Sequence, residues 1–279
     1  MISQKKEAVL LKFLVYSGTI LTLVILFSVV SYILIKGIPN LSLKLFEWKY
    51  TTENVSLLPA LINTLLMTLL SLLFAAPLGI FAAVYLVEYA RKENRLVKLV
   101  RITAETLSGI PSIIYGLFGL LFFVTALGLR MSLLSGALTL SIMILPLIMR
   151  TTEEALIAVP VEYREGSYGL GAGRLRTVFK VVMPSAIPGI LAGIILSIGR
   201  IVGETAALIY TAGTVAEIPG SLLDSVRTLS VHMYALSSEG FYIKQAYATA
   251  VVLLVIVVGI NALSAYVAKR IGRRAYGKN

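Results

Sequence analysis

Two ionised side chains stand inside an otherwise apolar run, Arg200 and Glu204, four residues apart. On one helix that spacing puts them a turn apart, close enough to neutralise each other, although Glu ahead of Arg is the better order. Facing lipid, each would cost about 2.5 kcal/mol or more, so their side of the helix must point into protein or a water-filled path. Two readings stay open. The pair is a structural ion pair that locks helices together, or Arg200 offers its planar fork to the oxygens of a passing anion while the acid tempers its hold. Gly189, Gly193, Ser197 and Thr211 fall on the same face by steps of three, four and seven, and Gly189-x-x-x-Gly193 permits close approach of a neighbouring helix.

A second constellation lies in a polar stretch, residues 150–184, between two apolar runs. It reads Glu165-Gly166-Ser167, three residues, Gly171, nine residues, then Val181-Val182-Met183-Pro184. Pro160 suits a first helical turn, where its missing amide costs nothing, and predicts a short helix over Val161 to Leu170. Gly169, Gly171 and Gly173 then predict a sharp turn, and Arg174 to Val182 a second helix that enters the next apolar run at Pro184. Such an exposed elbow fits a groove on a partner and works as a lever on the spans it joins. The pattern resembles the EAA signature of ABC-importer permeases, Glu-Ala-Ala, three residues, Gly, nine residues, Ile-x-Leu-Pro. Gly166 and Ser167 replace the two alanines, and Val181 and Met183 replace Ile and Leu. Gly166 costs up to about 1 kcal/mol of helix propensity relative to Ala, so the short helix is soft on its own.

Other chemistries lack their residues. No G-x-x-x-x-G-K-[ST] segment is present to cradle a nucleotide, no His-Glu-x-x-His cluster or nucleophile elbow occurs, and His232 is the only histidine. There is no cysteine, which excludes disulfides, thiolate metal sites and a cysteine nucleophile. The chain is read as no enzyme. Lone His232 is read as a packed residue rather than a pH sensor.

The elements that position these residues follow from composition. The chain is 58% hydrophobic and 14% charged, with mean hydropathy +0.90, far from the roughly 45–50% apolar content of a soluble domain. Six spans are predicted at about 13–35, 57–87, 106–129, 131–149, 183–212 and 245–268, in a single membrane domain over 1–279. Because backbone amides in hydrocarbon must be satisfied internally, the spans are expected to be helices and the fold all-α. Lys and Arg number 3 before the first span, 5 between the second and third, 5 in the 150–184 loop and 5 in the tail, against 3, 1 and 2 in the alternate loops. The positive-inside rule then places both termini and the 150–184 loop in the cytoplasm, so the net charge of +11 signals topology and not nucleic acid. Lys5-Lys6 ahead of a long apolar run predicts a retained signal anchor. In the third span, Gly109-Ile110-Pro111-Ser112 predicts a helix start or kink, with Tyr115 following. Ser112 is read as either a solute contact or a packing residue. Pro77 with Gly79 predicts a kink in the second span, and Pro219 to Leu236 predicts short interfacial helices in the last outer loop.

Three further segments narrow the resemblance. They are Tyr85 to Ala90 (YLVEYA), Gly109 to Phe118 (GIPSIIYGLF) and Gly203 to Gly213 (GETAALIYTAG). With the elbow, they make the chain similar to the A-type permease subunit of the phosphate-specific ABC importer from Pro59 through the last span. Ala207 departs from the family's usual residue. The resemblance implies contact of Arg164, Glu165, Gly166, Ser167, Gly169 and Gly171 with an ATPase, and a substrate pathway that includes Arg200, Glu204, Ser197, Ser112 and Tyr115. It also implies a sibling C-type permease, two copies of an ATP-binding subunit that carry ATP and Mg, an extracytoplasmic phosphate-binding protein, and the plasma (inner) membrane of a prokaryote. No cofactor is expected on this chain. A permease for sulfate or molybdate, or an ion-coupled carrier or channel working without an ATPase, are the alternatives.

Overall fold

The computed structural model describes residues 2–91 and 94–275, and among them every regular element is helical. Helix α1 (Ile2–Gly37) is followed by α2 (Leu58–Val84), which continues as a π-helical turn over Tyr85–Tyr89. Next come α3 (Arg95–Ser108), α4 (Ser112–Gly119) with a π-helical extension over Leu120–Ala126, and α5 (Leu133–Ile157). The elbow is α6 (Val161–Gly169) and α7 (Arg174–Thr177), and Val178–Val182 joins α7 to α8 (Met183–Val202). The last elements are α9 (Ala206–Thr211), α10 (Leu229–Glu239) and α11 (Ile243–Ala275). Five of these stretches are long and apolar enough to cross a bilayer, and the bent α3/α4 pair makes a sixth.

Three span boundaries differ from the sequence expectation. The third span bends by 103° between Ser108 and Ser112. Pro111 removes an amide and drives Ile110 away from helical geometry, so Thr106 to Ser108 belong to the amphipathic α3. The fourth span extends past Met149 to Ile157, which puts Arg150, Glu153 and Glu154 on helix α5 instead of in the loop. The fifth stops at Val202, since Gly203 to Thr205 breaks α8 from α9. Pro77 is carried inside α2, and next to it Gly79 lies against Ile148 of α5.

Helix α5 is the axis of the bundle: 67% of its apolar window is buried, against 0% for α1, which turns its apolar surface outward as a lipid-facing helix does. Met67 of α2, Leu140, Met143, Ile144 and Ile148 of α5, and Ile201 and Leu208 form the largest core cluster. The Gly189/Gly193 face of α8 meets α5 directly, where a Cβ on Gly189 would meet Ala155 and one on Gly193 would strike Thr151. Small side chains here let two backbones approach, which is the main source of helix affinity when lipid tails are as apolar as leucine.

At the end of the bundle away from the elbow, the segment between α9 and α10 folds back as a plug. Leu133 and Leu134 at the start of α5 donate their amides to Asp224 and Leu222 carbonyls at 2.9 and 2.9 Å, and Val226 donates to Ala212 at 3.0 Å. Asn63 Nδ2 of α2 donates to the carbonyls of Glu217 and Arg227, while Thr64 Oγ1 accepts the Leu229 amide at 2.8 Å. The first turn of α10 is therefore buried, with Leu229 to His232 inaccessible, while Tyr234 and Ser237 to Glu239 are exposed. His232 is enclosed between the edge-on ring of Tyr50 and the guanidinium of Arg227. Burial first, and the Arg227 charge second, lower its pKa to about 3.

Two predictions follow from this packing. Gly193→Val is expected to cost about 1–3 kcal/mol by overpacking, seen as a lower thermal-unfolding midpoint in detergent. In Gly199→Ala the new methyl meets only Asn261 Oδ1 at 3.9 Å, and the midpoint should hold. The unfolded chain binds a proton at His232 near pH 6.5 while the folded chain resists it until about pH 3. Stability is thus complete above pH 6.5 and declines as the pH falls through that window. The decline should be shallower in His232→Gln when unfolding midpoints are compared across pH.

Candidate functional site

The elbow is built as its residues dictate. Pro160 precedes the first turn of α6, and Gly171 takes φ +81°, a left-handed geometry that a residue with a Cβ resists. Ser167 and Thr177 hydroxyls meet at 2.8 Å, joining α6 to α7, and Arg174 lies over the Tyr89 ring at 5.1 Å. Glu165, Gly166 and Gly169 are exposed, and around them Tyr163, Tyr168, Leu170, Leu175 and Phe179 present apolar surface. Arg164 differs from its neighbours. Grouped with the docking residues by position, it turns inward: Nη2 donates to Glu88 Oε1 at 2.7 Å and to the Leu156 carbonyl at 2.9 Å, and Nη1 donates to the Val159 carbonyl at 2.9 Å.

The second constellation is partly regrouped. Because α8 ends before Gly203, Glu204 leaves the face that carries Arg200, and no ion pair joins the two. Its carboxylate instead accepts the Ala207 amide at 3.1 Å, at the first turn of α9, and its carbonyl accepts the Ser230 hydroxyl. Ser197 is buried and donates back to the Gly193 carbonyl, so its hydroxyl proton is committed inside α8. Tyr115 is buried in α4, and its hydroxyl donates to the Leu107 carbonyl at 2.7 Å, bracing the 103° bend. Ser112 opens α4 beside that bend and is half-buried.

Arg200 itself is half-buried and opens onto a cavity of about 490 Å³ between α3, α5 and α8. Sequence reasoning misses most of its charged lining, since it assigns Arg101, Glu105, Arg150, Glu153 and Glu154 to cytoplasmic loops, whereas Ser108 falls in the third span as a packing residue or solute contact. Two of the three arginines are matched: Arg101 pairs with Glu153, and Arg150 with Glu154 at 3.1 Å and Glu105 at 3.7 Å. Among the described residues Arg200 has neither a carboxylate partner nor a side-chain hydrogen bond. A guanidinium so placed, at the wall of a cavity lined by other charged side chains, can receive an oxyanion. The Arg101-x-x-x-Glu105 and Arg150-x-x-x-Glu154 spacings were the available signals that these charges lie on helices.

Residues 75–274 match the family described as "Binding-protein-dependent transport system inner membrane component". The chain is 35% identical over 231 residues to a probable ABC transporter permease protein, YqgI, of Bacillus subtilis, covering 77% of this chain and 78% of that one. It is 32% identical over 254 residues to a probable phosphate transport system permease protein PstA of Methanocaldococcus jannaschii, covering 89% of each. It is 34% identical to the PstA of Mycobacterium leprae, covering 74% of this chain and 68% of that one. Among solved structures, a chain of a bacterial alginate ABC transporter superposes with TM-score 0.70 at 18% identity, covering 96% of both chains. A chain of the MetNI methionine ABC transporter, in inward-facing conformations, gives 0.60 at 20% identity, covering 78% of this chain and 94% of that one. The fold is theirs, and the sequence match over most of the spans makes this chain a multi-pass member of the inner-membrane components of binding-protein-dependent transport systems.

Proposed function

We propose that this chain forms half of the pathway of an ATP-driven importer of inorganic phosphate. Arg200 is the anion's stepping stone, and the α6 elbow docks a separate ATP-binding subunit. The observation that carries the reading is the unmatched Arg200 guanidinium over the 490 Å³ cavity, in a chain whose relatives include permease proteins named for phosphate transport. One cation among otherwise paired charges attracts a dianion without caging it, which suits passage better than storage. Selectivity then rests with an external binding protein, which engages the plug side. The other half of the pathway comes from a sibling permease, while ATP and Mg reside on two ATPase subunits below the elbow and no cofactor sits on this chain. Both termini and the elbow face the cytoplasm, as the distribution of Lys and Arg supports.

Reconstitution with a sibling permease, ATPase and binding protein tests this directly. Labelled phosphate uptake should require ATP and exceed sulfate and molybdate uptake. A preference for another oxyanion reassigns the substrate, and flux without ATP sinks the importer reading in favour of a carrier. Arg200→Ala should cut uptake at least about ten-fold, the scale of a lost hydrogen bond to a charged group at about 1.5–3 kcal/mol. Arg200→Lys should fall between, with the complex still assembled in both. Full uptake by Arg200→Ala would remove it from the pathway.

A further inference from the structure

Helix α6 is continuous along the chain with α5 on one side and, through the Gly171 turn and α7, with α8 on the other. Neither chain connection leads into α2, which contributes Met67 and Ala75 to the main core. Beside α6, Ala83, Val84 and Leu86 pack against Leu156, Val178 and Val182, but the link from α6 itself to the end of α2 is polar. Arg164 Nε and Nη2 donate to Glu88 Oε1 at 3.1 and 2.7 Å, across 76 residues of sequence. The same guanidinium holds the Leu156 and Val159 carbonyls at the end of α5. One side chain thus ties the elbow to the ends of two spans. Both partners are withdrawn from solvent, with side-chain exposures of 17% and 6%, so neither can swing away without stranding the other charge.

The opposite end of α2 grips the plug. Asn63 Nδ2 donates to Glu217 and Arg227 carbonyls, and Thr64 Oγ1 accepts the Leu229 amide. Glu88 lies 25 residues beyond Asn63, about 38 Å along a helix at 1.5 Å per residue. Asn63 Oδ1 is buried with no partner, an acceptor that a shifted plug amide can fill, so the grip has room for a second arrangement. Glu88 itself sits in the π-helical turn Tyr85–Tyr89, a local register shift where a pull can be accommodated without unwinding the helix.

We infer that α2 is the transmission rod of this subunit: displacement of α6 passes through the Arg164–Glu88 pair into α2 and emerges at the Asn63 and Thr64 grip on the plug. The docking surface and the far-end closure then move together. This rests on the reading of the chain as an ATP-driven permease, and the two can fail separately. A wild-type complex without ATP-driven uptake sinks that reading, whereas coupled wild-type uptake with an indifferent Glu88 sinks only the rod.

The chain has no cysteine, so Ser230→Cys, buried in the first turn of α10 directly after the plug, is the single reporter in this chain for an impermeant maleimide added on the plug side of proteoliposomes, with cysteine-free partner subunits. With α2 intact, ATP plus vanadate should raise its labelling. Glu88→Gln keeps the shape and removes the charge: ATP hydrolysis should continue, phosphate moved per ATP should fall at least about five-fold, the low end of such couplings, and labelling should stay at its resting rate. Arg164→Lys keeps the charge attraction but loses the fork to the α5 carbonyls, and should fall between. Unchanged phosphate per ATP and unchanged labelling response in Glu88→Gln overturn the inference. So does failure of both variants to assemble, which would make the pair a structural element only.

Discussion

In the interior of a bilayer there is no water to satisfy an unpaired backbone group, so every place where a helix stops must find its partners within the protein. Three helix ends in this chain show how they do. The first amides of α5 are taken by plug carbonyls at Leu222 and Asp224. The Leu156 carbonyl in the last turn of α5, and that of Val159 just beyond it, are taken by Arg164. The Ala207 amide at the start of α9 is taken by Glu204. Each solution draws in a distant segment, and together they set the plug, the elbow and the charge balance of the cavity.

The charge balance is the least obvious of these consequences. Had α8 run on through Gly203, Glu204 would stand one turn above Arg200 and neutralise it. Because the helix breaks, a new N-terminus appears, and a carboxylate beside the first amides is favoured there by both hydrogen bonding and the helix dipole. Glu204 goes to that end. Arg101 holds one carboxylate and Arg150 two, so although the arginines and glutamates of the cavity balance in number, Arg200 is the arginine left without a paired carboxylate. The unpaired state of Arg200 therefore follows from a backbone requirement at the neighbouring helix.

What could be read from the residues follows the range of the interactions involved. The elbow depends on Pro160 and on a positive φ at Gly171, both local, and it folds as the glycine and proline spacing requires. The bend at Pro111 is local too, but its size is not: Tyr115 fixes it by donating to Leu107, a contact that spacing alone does not reveal. The end of α5 was misplaced because a hydropathy run ends at the first charge, whereas the helix continues through Arg150 and Glu154 as an ion-paired turn. By resemblance, Arg164 is grouped with the docking residues, next to Glu165 of the signature. Its partner lies 76 residues away, and no periodicity within the elbow points to Glu88.

The inward turn of Arg164 also bears on how a soft helix can serve as a lever. Gly166 weakens α6 by up to about 1 kcal/mol relative to alanine, and nine residues make a helix too short to persist alone. A load applied to the exposed face around Glu165 would fray such a segment unless its inner face were held. Ser167 bonds to Thr177, and Arg164 bonds to Glu88 and two carbonyls, so the inner face is fixed at neighbouring positions on successive turns. A buried ion pair is weak evidence for stability, since desolvation offsets much of its attraction. What it supplies instead is direction: the elbow can be displaced only with the helix ends to which it is tied, and the softness of α6 is confined to its exposed face.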